Sequence, residues 1–232
     1  RMPLSRLEKM ALLRPSPRDL ADAIGGAGVA LIAEIKRASP SRGPIREEVD
    51  VVARAREYAL GGAAAISVLT EADYFHGSLK DLSDVADNLT VRRPALLRKD
   101  FIIDPYEVVE SRAYGADSLL LIAAILTPRE LKELLDFSHD IGMCCLVEVH
   151  DDAELDMVLG RDRLAAQRSV NDLVVQGLLQ DVLEDALAGD PELQVRDAVR
   201  LLVAHGGQQA VDVGAFVVGF VHDGSLSRLP RS

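Results

Sequence analysis

Leu96-Leu97-Arg98-Lys99-Asp100-Phe101-Ile102-Ile103-Asp104-Pro105-Tyr106 reads as the end of a strand, a loop and the start of a helix in a single short stretch. Pro94 to Leu97 is an apolar run of the kind that a parallel strand buried on both faces requires, and it breaks into charge at Arg98, Lys99 and Asp100. Asp104 followed by Pro105 supplies an N-cap and a first-turn proline. These predict a helix running through Tyr106, Val109 and Ala113 to a stop at Gly115. A lysine therefore stands where a buried strand hands over to a loop, the edge at which parallel α/β folds bind their ligands.

Working outward, the same unit recurs. Val29 to Lys36 reads as the first strand, followed by a constrained loop from Ala38 to Pro44 and a helix over Glu47 to Tyr58 that Gly61-Gly62 closes. Ala64 to Thr70 is the second strand and Leu79 to Leu89 its helix; the quoted stretch is the third unit. Ser118 to Ile122 is the fourth strand. Its helix opens on a capping box, Thr127 with Glu130, has Pro128 at its first position and ends at Gly142. The fifth strand is Cys144 to Val149, and Asp151 with Glu154 predicts a capping box for the helix bearing Leu155 and Val158. Units spaced about 24 to 35 residues apart point to a (β/α)8 barrel of the TIM type, and no Gly-x-Gly-x-x-Gly follows the first strand to suggest a dinucleotide fold.

A single domain over residues 1–232 follows from the length: an N-terminal helical segment (1–28), five βα units (29–159) and an atypical C-terminal part (160–232). In the helical segment, Ser16, Pro17 and Asp19 are expected to open a short helix carrying Leu20 and Ile24. After Gly160 the pattern degrades. Leu173 to Leu187 has helical character without a convincing strand before it, while Arg200 to Ala204 and Gly214 to Gly219 look like strands. The connection between those two is too short for a parallel crossover.

A net charge of -11 excludes nucleic acid as an expected partner, since affinity for phosphate backbones comes from clustered Lys and Arg. It leaves room for a small anion, because the field within a cleft is set by its own lining. The longest apolar runs are strand-sized, so no membrane span is expected, and no secretory signal is legible. Cys144 and Cys145 are adjacent and lie in a predicted buried strand, which reads as reduced core residues and fits the cytoplasm. The chain opens on Arg1, so its N-terminus is expected to be processed or missing.

Strand alternation puts Glu34 and Lys36 on one side of the first strand, and Cys144, Leu146 and Glu148 on one side of the fifth. If those sides face inward, Glu34, Lys36, Lys99 and Glu148 converge on one mouth with alternating charge. Such a set can hold a lysine as general acid against a carboxylate that accepts or returns protons. Taken singly, Lys99 is an ordinary solvated strand-end lysine; ionisable groups at the ends of three strands are what raise it. The histidines are scattered, without metal-ligand spacing, and neither metal nor cofactor is called for.

Ile32 to Gly43 (Ile-Ala-Glu-Ile-Lys-Arg-Ala-Ser-Pro-Ser-Arg-Gly), Ser67 to Leu79, Leu96 to Tyr106 and Cys145 to His150 resemble, ungapped and in order, the indole-3-glycerol phosphate synthase family; the likeness covers roughly Leu4 to Leu159. The resemblance implies a β/α-barrel carbon-carbon lyase of tryptophan biosynthesis. Its substrate is a small phosphorylated aromatic, 1-(2-carboxyphenylamino)-1-deoxyribulose 5-phosphate. The resemblance also implies that Lys99 is the general acid, that Glu148 assists dehydration, and that Glu34 and Lys36 complete the catalytic set by orienting the substrate. Phe101 would pack on the substrate ring, and Ser39 and Asn171 would bind substrate. A monomer is expected, with association if the barrel is unclosed.

The tail departs from that pattern. Where the family's seventh strand ends in Ser-Glu-Ser-Gly, this chain has Ala204-His205-Gly206-Gly207 after Leu201-Leu202-Val203; where the eighth ends in Gly-Glu-Ser, Val218-Gly219 leads into Phe220-Val221. The family's sixth-strand Ile-Asn-Asn-Arg survives only in Asn171. In the family the seventh- and eighth-strand motifs carry the phosphate-binding groups, and the sixth-strand motif supplies a substrate-binding asparagine and arginine. Three readings stay open at this level: the synthase itself, an impaired remnant of it acting as a partial-barrel interaction module, or a relative with the same barrel and a changed phosphorylated substrate.

Overall fold

The computed structural model describes residues 1–25, 30–39, 43–44, 49–89, 93–158, 172–178, 199–205 and 211–216. Strand β1 (Ile32–Ile35) is followed by a short antiparallel pair, β2 (Ala38–Ser39) and β3 (Gly43–Pro44), inside the loop expected to be constrained. Then come β4 (Ala65–Leu69), β5 (Ala95–Lys99), β6 (Ser118–Ile122) and β7 (Cys144–Val149), each parallel to its predecessor in the order β1-β4-β5-β6-β7. Helices α3 (Val51–Leu60), α4 (Leu79–Asn88), α5 (Pro105–Ala113), α6 (Pro128–Asp140) and α7 (Asp152–Val158) follow these five strands one for one. Helices α1 (Leu4–Leu13) and α2 (Leu20–Ile24) precede them all.

The sheet separates its two faces by the period of the strand. Ala33, Ile35, Ile66, Val68, Leu96, Leu119, Leu121, Cys145 and Val147 face the helices and pack with Tyr58, Val85, Leu131 and Leu134 in the larger core. Their alternates, Ile32, Ala65, Ala95, Leu97, Leu120, Cys144 and Leu146, pack together on the opposite face. Helix α2 joins that second cluster with Leu20, Ala21 and Ile24, and so closes the N-terminal end of the sheet's inner face. Five parallel strands with helices outside and a self-packed interior make the wall of a β/α barrel. Burial raises the Cys145 thiol to about 12, so it is an inert core group on the helix side.

The caps explain the boundaries. Asp104 Oδ1 accepts from Tyr106 N at 2.8 Å beneath Pro105, and Gly115 follows α5 at φ +93°, as the sequence predicts. Thr127 and Glu130 form the expected reciprocal capping box of α6. Helix α2 differs from expectation: its cap is Asp19, whose carboxylate accepts from Ala21 N and Asp22 N, so the helix starts four residues after Ser16. Asp19 has a free stretch of chain before it and two successive N–H groups ahead, the geometry an N-cap carboxylate satisfies best.

The tail is reorganised relative to a run of βα units. β8 (Asp172–Leu178) adds to β7 in parallel, so the first part of the expected Leu173–Leu187 helix is a strand. β9 (Val199–His205) then runs antiparallel to β8, and β10 (Val211–Phe216) antiparallel to β9 with a register shift between Asp212 and Ala215. The short connection between β9 and β10, too short for a parallel crossover, is what a hairpin needs. Among the described residues β1 and β10 are the two ends of the sheet.

Candidate active site

Glu34 projects from β1 with its side chain only 3% exposed, and its two carboxylate oxygens divide between two ammonium groups. Lys36 Nζ stands 3.1 Å from Oε1 and Lys99 Nζ 3.1 Å from Oε2. Lys36 lies just beyond the end of β1 and Lys99 is the last residue of β5, so one buried carboxylate ties together the C-terminal ends of two strands. A lone carboxylate removed from water would cost several kcal/mol; two cations within hydrogen-bond reach offset that cost. Lysine holds its charge on a flexible stem, so both ammonium groups can turn from Glu34 towards an anionic or carbonyl oxygen. Between the two strands, β4 presents Ser67 in register with Glu34 and Leu97, and its buried hydroxyl has no hydrogen-bond partner.

Lys99 is aimed by its neighbours on the chain. Arg98, one residue earlier, necessarily faces the helices, where it is 4% exposed and fully engaged. Its guanidinium donates to Thr70 Oγ1 (3.0 Å), Asp100 Oδ2 (3.0 Å), Glu110 Oε2 (3.1 Å) and Ser111 Oγ (3.1 Å). Thr70 Oγ1 in turn donates to Asp100 Oδ2 at 2.5 Å. The loop after β5 is thereby pinned to β4 and α5 on both sides of Lys99. Phe101, next along, is 45% exposed, leaving its ring open at the same strand end. Sequence reading singled out Lys99 and passed over Arg98; the missed signal was alternation, which sends adjacent charged residues to opposite faces.

Glu148 occupies the inward register of β7, opposite Ile122 of β6. Its Oε1 lies 3.3 Å from His150 Nε2, and His150 Nδ1 lies 3.3 Å from Glu154 Oε2. Glu154 N donates to Asp151 Oδ1 as a helix cap, but the Glu154 carboxylate accepts from His150 N at 2.7 Å rather than from Asp151 N. The expected capping box is therefore half formed, and its free half orients the imidazole beside Glu148.

The loops around the mouth are braced. Arg37 grips Asp81 with both arms of its guanidinium, with Nη2 to Oδ1 at 2.8 Å, and also donates to His76 O. Burial pushes the Asp81 carboxyl up, but hydrogen bonds from Arg37 and Ser78 outweigh it and hold the group below its ordinary 3.8. The loop after β4 turns on Glu71, whose carboxylate accepts from the backbone N–H groups of Asp73, Tyr74 and Phe75. Gly77 closes that loop, and a Cβ there would fall 2.2 Å from Leu69 O, so no other residue fits.

The predicted set is thus partly assembled. Glu34, Lys36 and Lys99 are in direct contact, Phe101 adjoins them in sequence, and Glu148 shares the inner face with His150 as its partner. Ser39 pairs with Gly43 through β2 and β3. Asn171 lies outside the described residues, immediately before β8. Because β9 is reversed, its last residue, His205, pairs with the first residue of β8, Asp172. Ala204-His205, which stands where the family's seventh-strand phosphate motif was sought, is therefore at the opposite end of the sheet from Lys99. Val218-Gly219 lies outside the described residues.

A parallel β/α wall with its ionisable cluster at the C-terminal strand ends defines a protein of the β/α-barrel class, whose sites occupy that end. The sequence model of the family described as indole-3-glycerol phosphate synthase matches residues 1–167. An indole-3-glycerol phosphate synthase of Dehalococcoides mccartyi (strain CBDB1) is 52% identical over 160 residues, covering 68% of this chain and 62% of that protein. One from Roseiflexus sp. (strain RS-1) is 50% identical over 159 residues, covering 67% and 59%. One from Mycobacteroides abscessus is 40% identical over 223 residues, covering 93% and 81%. The chain belongs to the indole-3-glycerol phosphate synthase family. It spans about 62% of the length of the Dehalococcoides relative.

Proposed function

We propose that this chain carries out the ring closure its family is named for. It would convert 1-(2-carboxyphenylamino)-1-deoxyribulose 5-phosphate to indole-3-glycerol phosphate, with loss of carbon dioxide and water, as a cytoplasmic monomer acting on a small phosphorylated aromatic substrate. The observation that carries the reading is the Glu34 carboxylate held between Lys36 and Lys99 at 3.1 Å each.

The aryl carbon bearing the carboxylate attacks the ketone carbon of the sugar chain, and Lys99 delivers a proton to the ketone oxygen as it becomes a hydroxyl. The carboxylate leaves as carbon dioxide, and its bonding pair restores the aromatic ring. The hydroxyl is then protonated and departs as water as the nitrogen lone pair pushes through the aryl ring, and the neighbouring methylene carbon gives up a proton whose bonding pair forms the indole double bond, with Glu148 assisting these proton transfers. Glu34 holds Lys99 in place; Lys36 meets the substrate's anionic groups; Phe101 packs on the aryl ring, and Ser39 and Asn171 complete the binding side. A positioned proton donor is worth about 10²- to 10⁴-fold in rate, which is the contribution asked of Lys99.

The test is appearance of indole fluorescence when the folded chain is mixed with the substrate. Turnover that disappears in Lys99→Met supports the assignment; a folded wild-type chain that forms no product, or an active Lys99→Met variant, overturns it.

A further inference from the structure

A second concentration of cations lies at the other end of the strands. Arg14, Arg18, Arg93 and Arg112 line a cavity of about 410 Å³, walled on its apolar side by Ala86 and Leu89. Arg93 sits just before β5, and Gly115 and Asp117 just before β6, so the cavity opens at the N-terminal ends of strands whose C-terminal ends carry the Lys99 cluster. Two carboxylates answer the four guanidiniums. Asp117, completely buried, takes both arms of Arg93 (Nη2 to Oδ1 2.6 Å) and accepts from the backbone N–H groups of Leu96 and Arg18. Asp87 pairs with Arg14, whose Nε also donates to Ala113 O at 3.0 Å. Arg112 donates only to carbonyl oxygens, those of Ala116 and Pro15. The Arg18 side chain is exposed and, among the described residues, has no partner.

Four guanidiniums thus share two carboxylates, an excess of positive charge in a chain whose net charge is -11. Burial lowers the Arg112 pKa, Asp117 pulls it back, and Arg14 and Arg93 lower it again: like charge crowds the cavity. The cavity is also rigidly built, because Gly115 holds φ +93° and a Cβ there would fall 2.5 Å from Ala86 Cβ. Its size lies within the range of small-molecule sites, about 300 to 1,000 Å³. Guanidinium forks match oxyanions in pairs of hydrogen bonds.

We propose that this cavity is a binding site for a small phosphate monoester, separate from the active site at the mouth. The dianion would answer that excess of positive charge through Arg18 and Arg112, neither of which is ion-paired to a carboxylate among the described residues, while its organic part rests on Ala86 and Leu89. A single carboxylate would leave one positive charge unanswered, and inorganic phosphate would leave the apolar wall uncovered. Bound there, the ligand bridges the segment leading into α2 to the starts of β5 and β6, and so stabilises the closed floor of the sheet.

The experiment is calorimetric titration of the intact chain with phenyl phosphate, inorganic phosphate and benzoate at constant ionic strength, with backbone hydrogen exchange to place the ligand. The expected result is saturable binding of phenyl phosphate, tighter than either of the others, with protection over residues 14–18. Arg18→Ala and Arg18→Glu should each weaken it at least ten-fold while keeping the wild-type circular dichroism, since the Arg18 side chain supports no other group. Lys99→Met should leave it unchanged. Binding that survives both Arg18 variants, binding lost in Lys99→Met, protection confined to the mouth, or no saturable binding at all would each overturn the proposal.

Discussion

The mouth and the floor of the sheet each bury a carboxylate against cations, and they do so by different means. At the floor Asp117 is fully enclosed and meets the rigid fork of Arg93 together with two backbone N–H groups, so its lone pairs are consumed by groups that cannot move away. At the mouth Glu34 is nearly as buried, yet its partners are two lysines that are partly exposed and mounted on flexible stems. The first arrangement locks strand starts together. The second stores two mobile positive charges beside open space, which a reaction can use. The same contrast runs along β5 itself, where Arg98 is consumed by the packing between sheet and helices while Lys99 faces inward.

The widest separation between the two ends should come from their key cations and anions. Lys99→Met is expected to lower turnover by about 10²- to 10⁴-fold, read by indole fluorescence, with a smaller loss in the urea midpoint than Asp117→Ala, because Lys36 still answers the Glu34 carboxylate. Asp117→Ala should do the reverse. It leaves the half-buried Arg93 without its counter-ion and two N–H groups unpaired, a loss of about 3 kcal/mol in chemical denaturation. If Asp117→Ala folds with near-wild-type stability, the floor is not the lock described here.

Glu148→Gln keeps the shape of the site and removes the titrating group, so kcat should fall more than KM rises, by about 10²-fold at least. Glu154→Gln, further out behind His150, should lower kcat much less than Glu148→Gln and cost about 1 kcal/mol or less of stability. Equal kinetic effects at the two positions would make Glu148 a structural residue rather than a reacting one.

A smaller effect concerns the brace beside the mouth. Asp81 is held below its ordinary 3.8, so near that pH the unfolded chain binds the proton more readily than the folded one. Its contribution to stability is therefore complete above about pH 4 and is lost as the pH falls through the lowered folded value. Asp81→Asn should flatten the acid limb of a stability-versus-pH curve measured by urea denaturation; an unchanged limb would mean that Arg37 and Asp81 do not act as a clamp. Smallest of all, Thr127→Ala should cost about 1 kcal/mol, the worth of one N-cap, with no effect on turnover.

Local chemistry made much of this legible in the chain. Caps at Asp104 and Thr127, terminating glycines at 62, 115 and 142, and apolar runs at Ser118–Ile122 and Cys144–Val149 all appear in the structure close to where the residues place them. Alternation was enough to put Glu34 and Lys36 on one side of the first strand, because the strand period is a property of the backbone and does not depend on what packs around it. The tertiary structure decided what alternation cannot see. Whether a charged residue is consumed or available depends on partners far along the chain, such as Thr70 and Glu110 for Arg98 or Asp81 for Arg37. Strand direction in the tail is likewise a matter of which edge is open and how short the connection is: β8 joined β7 in parallel, while β9 and β10 could only fold back as a hairpin. Pairing partners and burial are long-range quantities, and a segment's own residues carry no record of which neighbour will supply them.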